Sequence, residues 1–441
     1  MNDNSLKVVV EKIISGGDGL ARLADGRVLF VPFSLPGETL KVKIIQKKKD
    51  YAIGTIQEVL EPSPDRVVPR CPHFGICGGC QLQHVNYDGE IKIKQGFLEE
   101  SMKRQAKLSF KPEQALPSSK EWEYRSKSEH PVTQTNLKPL IGYYQRRSHR
   151  VVDIKDCPVI NSSCVSDIQT LRTVFTQTHE PLYNEMTHTG NIRHLILRTS
   201  YKGERIIGLV TRTEELAAKT IKEMLERFDD LYGIVQNVNP EKGNRILGDK
   251  TEAVSGSASL IEEVAGLRFR VSFPSFFQAN HLQAERLVNI VKDFIAPQPD
   301  DVLCDAYAGV GMIGLNLASS VKKVIAIESA PSAVEDGKHN TKINNIENLQ
   351  WLRMDVAEGL KRSKYNLLVL DPPRKGLTER VLSEVMKAKP SRICYVSCNP
   401  ATWSRDIAHL IKSGYELKRL SWLDMFPKTA HLELVSLLEV K

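Results

Sequence analysis

From about residue 300 the chain alternates apolar strand patterns with amphipathic helix patterns, and this alternation constrains the fold most strongly. The strand patterns begin with "VLCDAYAG" and recur as "KVIAIES", "LQWLRMD", "YNLLVLDPP" and "RICYVSC". Two closing strands are predicted at 415–423 and 432–440. Apolar strands separated by helices form a parallel, doubly wound sheet, whose ligands bind beyond the carboxyl ends of the strands. We therefore predict a Rossmann-like α/β domain with its site at those ends.

An acidic residue follows each of the first four predicted strands of this region. These residues are Asp305, Glu328, Asp355 and Asp371. An acid after the second strand can accept both ribose hydroxyls of an adenosine, and an acid after the third can meet the adenine amino group. A single acid could instead cap a helix or lie in a solvated loop, but the complete set indicates a nucleoside site.

The stretch "DAYAGVGMIGL" places Gly309 and Gly311 between the first strand and a helix. Glycine lets the backbone approach a ligand closely, and a helix N-terminus favours negative or polar groups. The spacing through Gly314 also matches a dinucleotide site, so the loop alone does not choose between NAD and S-adenosylmethionine (SAM). The four acids together with the antiparallel closing pair favour a SAM-dependent methyltransferase over a dehydrogenase.

The stretch "CYVSCNPATW" contains two cysteines in different settings. Cys394 lies within a strand pattern, where a packing role is expected. Cys398 follows the strand, and Asn399 and Pro400 suit the cap and the first position of a helix. Because a helix N-terminus favours negative charge, we expect a lowered pKa for the Cys398 thiol and a role as nucleophile.

A nucleophilic thiol in a methyltransferase indicates methylation at carbon 5 of a pyrimidine. Carbon 5 of uracil is a weak nucleophile, and addition of a thiolate to carbon 6 makes it reactive. A base must then remove the carbon 5 proton, and Glu433 in "TAHLELVSLL" is the candidate, although the same pattern fits an exposed strand carboxylate. Arg374 follows "DPP" where enzymes that methylate base amino groups carry an aromatic residue, which disfavours amino methylation.

A second group of cysteines lies in "CPHFGICGGCQLQH". Three cysteines at C-x5-C-x2-C spacing are followed by a distant fourth in "DIKDCPV"; the four are Cys71, Cys77, Cys80 and Cys157. Three clustered thiolates with a remote fourth suit a 4Fe-4S cluster, whereas zinc sites are usually built from two close pairs. Zinc stays open at this point, and we expect a role in folding or in shaping RNA before a redox role.

The first part of the chain has a different pattern. Residues 5–60 form short alternating strands broken by turn signals, which predicts a small β-barrel, and the two prolines of "EPSPDR" indicate a linker at 61–66. Residues 67 to about 275 mix strand and helix patterns, and we predict an α+β domain there.

Charge and cysteine content indicate the compartment and the type of partner. The net charge is +8, and residues 103–155 hold 12 Lys and Arg against 5 Asp and Glu, which favours a polyanionic partner such as RNA. The sequence shows neither a secretory signal nor an apolar run long enough to cross a bilayer, so we expect a cytoplasmic protein without a membrane partner. Eight cysteines are then more typical of ligands, nucleophiles or packing than of disulfides.

Taken together, these motifs resemble the RNA 5-methyluridine methyltransferases that carry an N-terminal TRAM barrel and an iron-sulfur cluster and that modify 23S rRNA. The resemblance covers nearly the whole chain, and its most specific motifs are "CPHFGICGGC", "SFFQAN", "DAYAGVG", "DPPRKG", "SCNP" and "FPKTAHLE". It implies a TRAM domain at 1–61, a central α+β domain with the cluster at 67–275, a SAM-dependent methyltransferase domain at 276–441, and a monomer.

The resemblance also implies roles for single residues. Cys398 would be the nucleophile and Glu433 the base. Contacts with SAM are implied for Gln278, Tyr307, Glu328 and Asp371, and ligation of the 4Fe-4S cluster for Cys71, Cys77, Cys80 and Cys157. Contacts with RNA are implied in the middle of the chain, at Tyr124, Arg125, Lys127, Arg193 and His194. The target uridine would leave its stack and enter the pocket.

Three alternatives remain beside this hypothesis. The same chemistry could act on the T-loop uridine of tRNA. A related covalent route could make 5-methylcytidine in RNA, although no motif dedicated to it is present. A non-catalytic RNA-binding protein with a vestigial SAM fold is disfavoured by the presence of Cys398, Glu433 and the four strand-end acids.

Overall fold

The computed structural model describes residues 5–136 and 138–441, so the first four residues of the predicted TRAM domain lie outside the described residues. Its strands form three large sheets and one hairpin. Within the described ranges, no helix combines the length and the apolar character needed to cross a bilayer.

The N-terminal sheet is a small β-barrel. Its strands are β1 (Ser5–Val9), β2 (Lys12–Ile13), β3 (Asp18–Arg22), β4 (Val28–Pro32), β5 (Thr39–Lys47) and β6 (Tyr51–Glu61), in the order β1-β5-β6-β4-β3-β2. Because β1 and β2 follow each other almost directly, pairing of β1 with β5 and of β2 with β3 closes the sheet. Alternating small and branched side chains, among them Val8, Ala21 and Leu29, fill its core.

The central sheet has seven strands in the order β10-β9-β8-β11-β12-β13-β14. Its strands are β8 (Lys127–Thr135), β9 (Lys138–Tyr144), β10 (Val151–Asp153), β11 (Ile192–Thr199), β12 (Arg205–Thr211), β13 (Gly233–Val238) and β14 (Lys250–Gly256). Helices α2 (Ser162–Thr178) and α3 (Ala218–Arg227) belong to this part of the chain, and the hairpin of β15 (Ser259–Val264) and β16 (Leu267–Ser272) follows it. The mixed strand and helix pattern of the sequence thus forms an α+β arrangement.

The C-terminal sheet has the order β19-β18-β17-β20-β21-β23-β22-β7. Its strands are β17 (Val302–Ala306), β18 (Lys323–Glu328), β19 (Leu349–Arg353), β20 (Leu367–Leu370), β21 (Arg392–Ser397), β22 (Tyr415–Leu423) and β23 (Glu433–Val440). Strands β17 to β21 are parallel, whereas β23 is antiparallel to both β21 and β22. The helices are α4 (His281–Ile295), α5 (Met312–Leu317), α6 (Pro331–Ile343), α7 (Val356–Arg362), α8 (Glu379–Ala388) and α9 (Pro400–Lys412). The predicted doubly wound sheet is therefore present, with its closing antiparallel pair.

One segment of the predicted central domain lies against the C-terminal sheet instead. Strand β7 (Gln114–Leu116) pairs in parallel with β22, and helix α1 (Tyr87–Ser101), followed by a π-helical turn at Met102–Ala106, packs against α9. An edge strand exposes unpaired backbone groups, and β7 satisfies those of β22. Residues 87–116 therefore belong spatially with the C-terminal sheet and not with the central sheet.

A buried ionic network fixes helix α1 to the segment that follows β22. The Lys94 ammonium is fully buried and lies 2.8 Å from the Glu90 carboxylate and 2.6 Å from the Asp424 carboxylate. The Tyr87 hydroxyl donates to the other Asp424 oxygen at 3.0 Å. Buried charges are tolerated when each is paired and hydrogen-bonded, as here. The segment between β22 and β23 is consequently held in a defined conformation.

Candidate active site

Cys398 lies at the carboxyl end of β21, one residue before the cap of helix α9. The Asn399 side chain caps this helix by accepting a hydrogen bond from the Ala401 amide at 3.0 Å, and Pro400 occupies the first helical position. The sulfur is partly buried, and the thiol is free. The strand, the cap and the helix together give Cys398 a fixed position at the edge where ligands of such sheets bind.

Glu433 lies beside Cys398 because of the register of the two strands. Strand β21 runs antiparallel to β23, and the last pair between them is Ser397 with Leu434, so Cys398 and Glu433 are the next residues beyond that pair. Glu433 is 3% exposed. These two residues are 35 positions apart in the sequence, and the pairing of β21 with β23 brings them close together.

Arg374 joins Cys398 and Glu433 as a third member of this group of side chains. From the sequence alone, Arg374 had no predicted role there. Its carbonyl accepts hydrogen bonds from the Asn399 side-chain amide at 3.0 Å and from the Thr402 hydroxyl at 3.2 Å, which fixes the "DPPRKG" loop to α9. Its guanidinium is near enough to Cys398 to oppose the rise in the pKa of the thiol. A cation beside a cysteine stabilises the thiolate form.

The predicted lowering of the Cys398 pKa is wrong. Burial, followed by the Glu433 carboxyl, raises the pKa of this thiol to about 11, and Arg374 offsets only part of the effect. Asp371 raises it further. The favourable interaction with the α9 N-terminus is therefore outweighed by groups that a linear reading of the sequence does not bring close to the sulfur.

The two carboxyl groups of the site favour their protonated forms. Burial, followed by the neighbouring Asp371, raises the pKa of Glu433 well above its usual range, while Arg374 opposes this shift. Burial also raises the pKa of Asp371 to about 7. Two carboxyl groups in one desolvated site disfavour each other's ionisation. The Asp371 carboxyl can therefore hold and release a proton near neutral pH, as acid and base chemistry requires.

Alkylation of Cys398 by iodoacetamide is expected to accelerate steadily from about pH 7 to about pH 10, since only the thiolate reacts. Below a pKa of about 11 the thiolate fraction rises with pH. Arg374→Ala should slow alkylation at each pH, because it removes the group that lowers this pKa. Peptide mass spectrometry measures the rate, and Cys398→Ala identifies the peptide. A pH-independent rate, or faster alkylation in Arg374→Ala, would contradict this electrostatic description.

A cavity opens beside this group at the carboxyl ends of β17 and β20. Of the residues predicted to bind the cofactor, five line it: Gln278, Asp305, Tyr307, Gly309 and Asp371. Asp371 connects the cavity to the thiol group, since it lines the former and its carboxyl raises the pKa of Cys398. Asp371 thus links the predicted nucleophile to the predicted cofactor residues that line the cavity.

The glycine loop of this cavity needs unusual backbone conformations. Tyr307, Gly309 and Gly311 have φ values of 63°, 56° and 90°, in the left-handed region. A Cβ atom at Gly311 would lie 2.8 Å from Cδ1 of Leu315, so a larger residue would also have to displace that side chain. A non-glycine residue at positive φ is uncommon and often marks a functional site, which draws attention to Tyr307.

Backbone amides orient the Glu328 carboxylate at the end of β18. One oxygen accepts from the Gly309 amide at 3.0 Å, and the other accepts from the Ser329 and Ala330 amides at 2.7 Å and 2.8 Å. The carboxylate thereby bridges the glycine loop and the start of α6. An ionised carboxylate held in this way is well placed to accept ribose hydroxyls.

The other two strand-end acids contact helix N-termini. The buried Asp305 carboxylate accepts from the Gly314 amide at 2.8 Å, and burial raises the pKa of Asp305 to about 7. The exposed Asp355 caps α7 by accepting from the Ala357 amide at 3.1 Å. Burial is the largest cause that raises the pKa of Tyr307 to about 12, and the Asp355 charge is the second. Asp355 therefore lies near the glycine loop.

Hydrogen bonds to two other segments of the chain hold the loop "SFFQAN", which contains Gln278. The Ser126 amide donates to the Ala279 carbonyl at 2.8 Å, and the Asn280 side chain both caps α4 and donates to the Met425 carbonyl at 3.2 Å. Gln278 itself is 6% exposed. No spacing rule marks this glutamine, and only the resemblance of its motif identified it.

The four cysteines of the second group lie close together in the structure. Cys71, Cys77, Cys80 and Cys157 line one cavity of about 30 Å³, and all four thiols are free. Backbone amides point at the sulfurs: the Gly79 amide donates to the Cys77 sulfur at 3.4 Å, and amides of residues 159 and 160 donate to Cys157. Burial raises the pKa of Cys77 to about 11 and that of Cys80 to about 12. Within residues 5–136 and 138–441, no group of three or more His, Cys, Asp or Glu residues is arranged to hold a single metal ion.

This cysteine loop contacts the segment that leads to Glu433, a proximity that the sequence pattern did not indicate. The amides of Gln81 and Leu82 both donate to the Lys428 carbonyl, at 3.1 Å and 3.0 Å, and the Gln81 side chain accepts from the Ala430 amide at 3.2 Å. Thr429 lines the cysteine cavity. The loop is therefore connected to residues only a few positions before Glu433.

Most of the residues predicted to contact RNA are partly or fully buried. The Tyr124 hydroxyl donates to the Pro427 carbonyl at 2.9 Å, and the Arg125 side chain donates to the Lys127 carbonyl at 2.9 Å. Lys127 forms an ion pair with Glu129 at 2.7 Å. Tyr124 and Arg125 line the cysteine cavity, whereas Arg193 and His194 line a separate groove of the central sheet. The structure thus divides the predicted RNA contacts between two places.

Comparison with known proteins identifies the family. The model of the tRNA (Uracil-5-)-methyltransferase family matches residues 86–441, and the TRAM domain model matches residues 5–56. The chain belongs to this methyltransferase family. A TRAM domain precedes a SAM-dependent methyltransferase fold in it, and the predicted enzyme class, a SAM-dependent RNA (uracil-5-)-methyltransferase, is confirmed.

Relatives similar to this methyltransferase span its whole length. An uncharacterized RNA methyltransferase of Halalkalibacterium halodurans is 36% identical, over 100% of this chain and 98% of that protein. One of Listeria innocua is also 36% identical, again over 100% and 98%. The crystal structure of Pyrococcus abyssi tRNA (uracil-54, C5)-methyltransferase in complex with S-adenosyl-L-homocysteine aligns with a TM-score of 0.78 and 26% identity, covering 98% of this chain and 100% of that one.

Proposed function

We propose that this methyltransferase methylates carbon 5 of a specific uridine in 23S rRNA through a covalent bond between Cys398 and carbon 6 of the base. The observation that carries this proposal is the proximity of Cys398 and Glu433, just beyond the last pair of β21 with β23, next to a cavity lined by Asp371 and Gln278. A nucleophile and a base on one side of a cofactor cavity are the groups that this chemistry needs.

The proposed reaction consists of addition of the thiolate, transfer of the methyl group and elimination of the thiolate. The Cys398 thiolate forms a bond to carbon 6, and the electron pair of the carbon 5 to carbon 6 double bond moves into an enolate. Carbon 5 then takes the methyl group that SAM supplies, and S-adenosylhomocysteine leaves with the electron pair of the broken carbon-sulfur bond. Glu433 takes the proton from carbon 5, the double bond forms again, and the thiolate leaves carbon 6.

Cys398 and Glu433 must both be ionised before they can act in this reaction. Glu433 and Cys398 both favour their protonated forms in the desolvated site, so one proton must leave before each can act. Arg374 lowers the pKa of both groups, and a bound sulfonium cation would act in the same direction. In this proposal binding of the methyl donor therefore promotes ionisation of the nucleophile and of the base.

The proposed contacts with SAM combine the residues that line the cavity with the acids that follow the second and third strands. Glu328 would accept the ribose hydroxyls of SAM, and Asp355 would lie nearest the adenine. Gln278, Tyr307 and Asp371 would contact the remainder of the molecule, with Gly309 and Gly311 allowing close approach. Asp305 would act one step away, by fixing the start of α5 through the Gly314 amide.

The RNA target is tested by mapping 5-methyluridine in 23S rRNA and in tRNA from cells with and without the gene. One specific 23S position that loses its methyl group supports the proposal. The tRNA T-loop is the second candidate, because the similar Pyrococcus abyssi enzyme is a tRNA (uracil-54, C5)-methyltransferase. Loss of tRNA methylation with intact rRNA would transfer the proposal to tRNA, and loss of 5-methylcytidine alone would contradict uridine as the target.

We also propose that Cys71, Cys77, Cys80 and Cys157 hold a 4Fe-4S cluster. The support is their convergence on one cavity, where amide donors directed at the sulfurs of Cys77 and Cys157 oppose the effect of burial on the pKa of these thiols. When bound, the cluster would cross-link the loop at 71–80 to Cys157. Since Gln81 and Leu82 bind the segment at 428–430, this cross-link would also hold the region preceding Glu433.

Protein purified without oxygen is expected to be brown and to contain about four irons per chain. Cys77→Ser should lose most of this iron, because it removes one of four ligands. Cys164→Ser is the matched control, since Cys164 is buried and its sulfur lies 3.2 Å from the Thr199 hydroxyl, away from the cavity. Iron analysis and the visible absorption spectrum measure both variants. Zinc in place of iron, or equal iron loss in both variants, would contradict the cluster.

A further inference from the structure

A fully buried carboxylate of helix α9, that of Asp406, lies against the "DPPRKG" loop. One of its oxygens accepts from the Tyr395 hydroxyl at 2.7 Å and from the Leu377 amide, just after the loop, at 2.8 Å. The other oxygen accepts from the Arg405 side chain at 2.8 Å. A carboxylate without access to water needs such donors. The Asp406 side chain therefore connects β21, α9 and the end of the loop through hydrogen bonds.

The Arg405 guanidinium extends this network to the loop backbone. It donates to the carbonyls of Lys375 and Leu377 at 3.0 Å and 3.2 Å. The packing is close, since a Cβ atom at Gly376 would lie 2.5 Å from a carboxylate oxygen of Asp406. Gly376 also has a φ of 73°, in the left-handed region that favours glycine. The carboxylate and the guanidinium together fix this part of the loop against α9.

Arg374 directly precedes the residues that are held in this way. Its carbonyl accepts from the side chains of Asn399 and Thr402 on the other side. Its guanidinium reaches the Cys398 sulfur, to which it provides a hydrogen bond and a positive charge. A long side chain acts at a defined point only when its backbone is held in place. The contacts of the loop with α9 therefore determine whether the cation of Arg374 reaches the thiol.

We propose that Asp406 is a positioning residue of the reaction, which holds the "DPPRKG" loop so that the Arg374 guanidinium contacts the Cys398 sulfur. Asp406 acts through Arg374 and not on the thiol directly, because its own negative charge opposes formation of a thiolate. The inference rests on the proposed function only in taking Cys398 as the nucleophile.

Alkylation of Cys398 by iodoacetamide at pH 8, without RNA or SAM, tests the inference, because only the thiolate reacts. Asp406→Asn is expected to slow alkylation about three- to fivefold, since the loop relaxes and Arg374 moves away from the sulfur. A merely structural role predicts the opposite sign. A loosened site exposes the partly buried thiol, and loss of the Asp406 charge favours the thiolate. An unchanged or faster rate in Asp406→Asn would overturn the proposal.

Asp301→Asn is the matched control, because Asp301 is a buried carboxylate in a similar network at the amino end of β17. It is 8% exposed, accepts from the Gln298 amide at 2.7 Å and lies 3.2 Å from the Arg392 guanidinium. Asp301→Asn should lower the melting temperature as Asp406→Asn does, but should change the alkylation rate by less than about 1.5-fold. Equal slowing in both variants would indicate a general loss of structure and would refute a positioning role.

A double variant shows whether Asp406 acts through Arg374. Asp406→Asn combined with Arg374→Ala should react at the rate of Arg374→Ala alone, because the cation that Asp406 positions is already absent. Further slowing in the double variant would mean that Asp406 acts by another route, against the proposal.

Arg405→Lys provides a second variant that is expected to fold, since the Arg405 side chain is 44% exposed. Lysine keeps the positive charge but cannot reproduce the forked contacts with the loop. Alkylation should slow about twofold, and a rate equal to or above that of the unmodified enzyme would contradict the proposal. Because these assays contain neither RNA nor SAM, their failure concerns this inference alone, whereas absence of 5-methyluridine in the product concerns the proposed function alone.

Discussion

Cys398→Ala is expected to lower the rate of methyl transfer to RNA by at least about 10⁴-fold, because the uracil ring then lacks the nucleophile that activates carbon 5. Single-turnover transfer of radiolabelled methyl groups from SAM to RNA measures the effect. The affinity for SAM, measured by calorimetry, should change little, since the cavity lining includes Gln278, Tyr307 and Asp371 but leaves the sulfur outside it.

Cys394→Ala is the matched control for this experiment. Cys394 lies on the same strand, is fully buried and has a pKa raised above its usual range by burial. Its replacement should keep the rate within about threefold of the unmodified enzyme, although it removes a core side chain and lowers stability somewhat. Similar activity in Cys398→Ala and Cys394→Ala would remove Cys398 from the mechanism.

Glu433→Gln is expected to stop the reaction after the methyl group has been transferred. The amide cannot take the carbon 5 proton, so the thiolate cannot leave and the RNA stays attached to Cys398. About one methyl group per enzyme should be transferred, while multiple turnover falls by about 10² to 10⁴-fold. Denaturing gel electrophoresis should show a protein-RNA adduct that accumulates with time.

Glu439→Gln serves as the control, because Glu439 lies on the same strand β23 but opposite Arg392, at the far end from the site. It should turn over normally and leave no adduct. If Glu433→Gln blocks methyl transfer itself and no adduct forms, Glu433 acts before the methyl step, and the assignment of the carbon 5 base must be changed.

The alternating pattern of the sequence was sufficient to predict the methyltransferase sheet. Apolar strands, the caps of the helices and the acids after each strand are local features, and the carboxyl ends of parallel strands necessarily share one edge. Asp371 and Glu328 could therefore be predicted to lie at the carboxyl edge of the sheet. The same logic located Cys398 on a strand-to-helix corner.

Features that depend on contacts between residues far apart in the sequence could not be predicted from these local patterns. The pKa of Cys398 is raised by its burial and by Glu433, which arrives on an antiparallel strand from the end of the chain. Strand β7 joins β22 although about 300 residues separate them, and three residues of edge strand carry little periodicity. The contact of the cysteine loop with Ala430 is likewise a tertiary hydrogen bond between two loops.

Arg193 shows how burial alters an interpretation. The resemblance predicted an RNA contact there, as for any basic residue in an RNA-binding region. Its guanidinium is buried and lies 4.8 Å from the Tyr183 ring centroid, in a groove that only the folded sheet creates. The residue type suggested the contact, whereas the surroundings of Arg193 depend on the pairing of β8 with β11.

RNA that carries 5-fluorouridine at the target position tests whether Cys398 forms a covalent bond with the target base. Fluorine at carbon 5 cannot be removed as a proton, so the reaction should stop as a methylated adduct of protein and RNA. With SAM present, unmodified enzyme should give an adduct that survives denaturation, and mass spectrometry should place it on Cys398. An equal yield of adduct from Cys398→Ala, or rapid methylation without any adduct, would contradict the account.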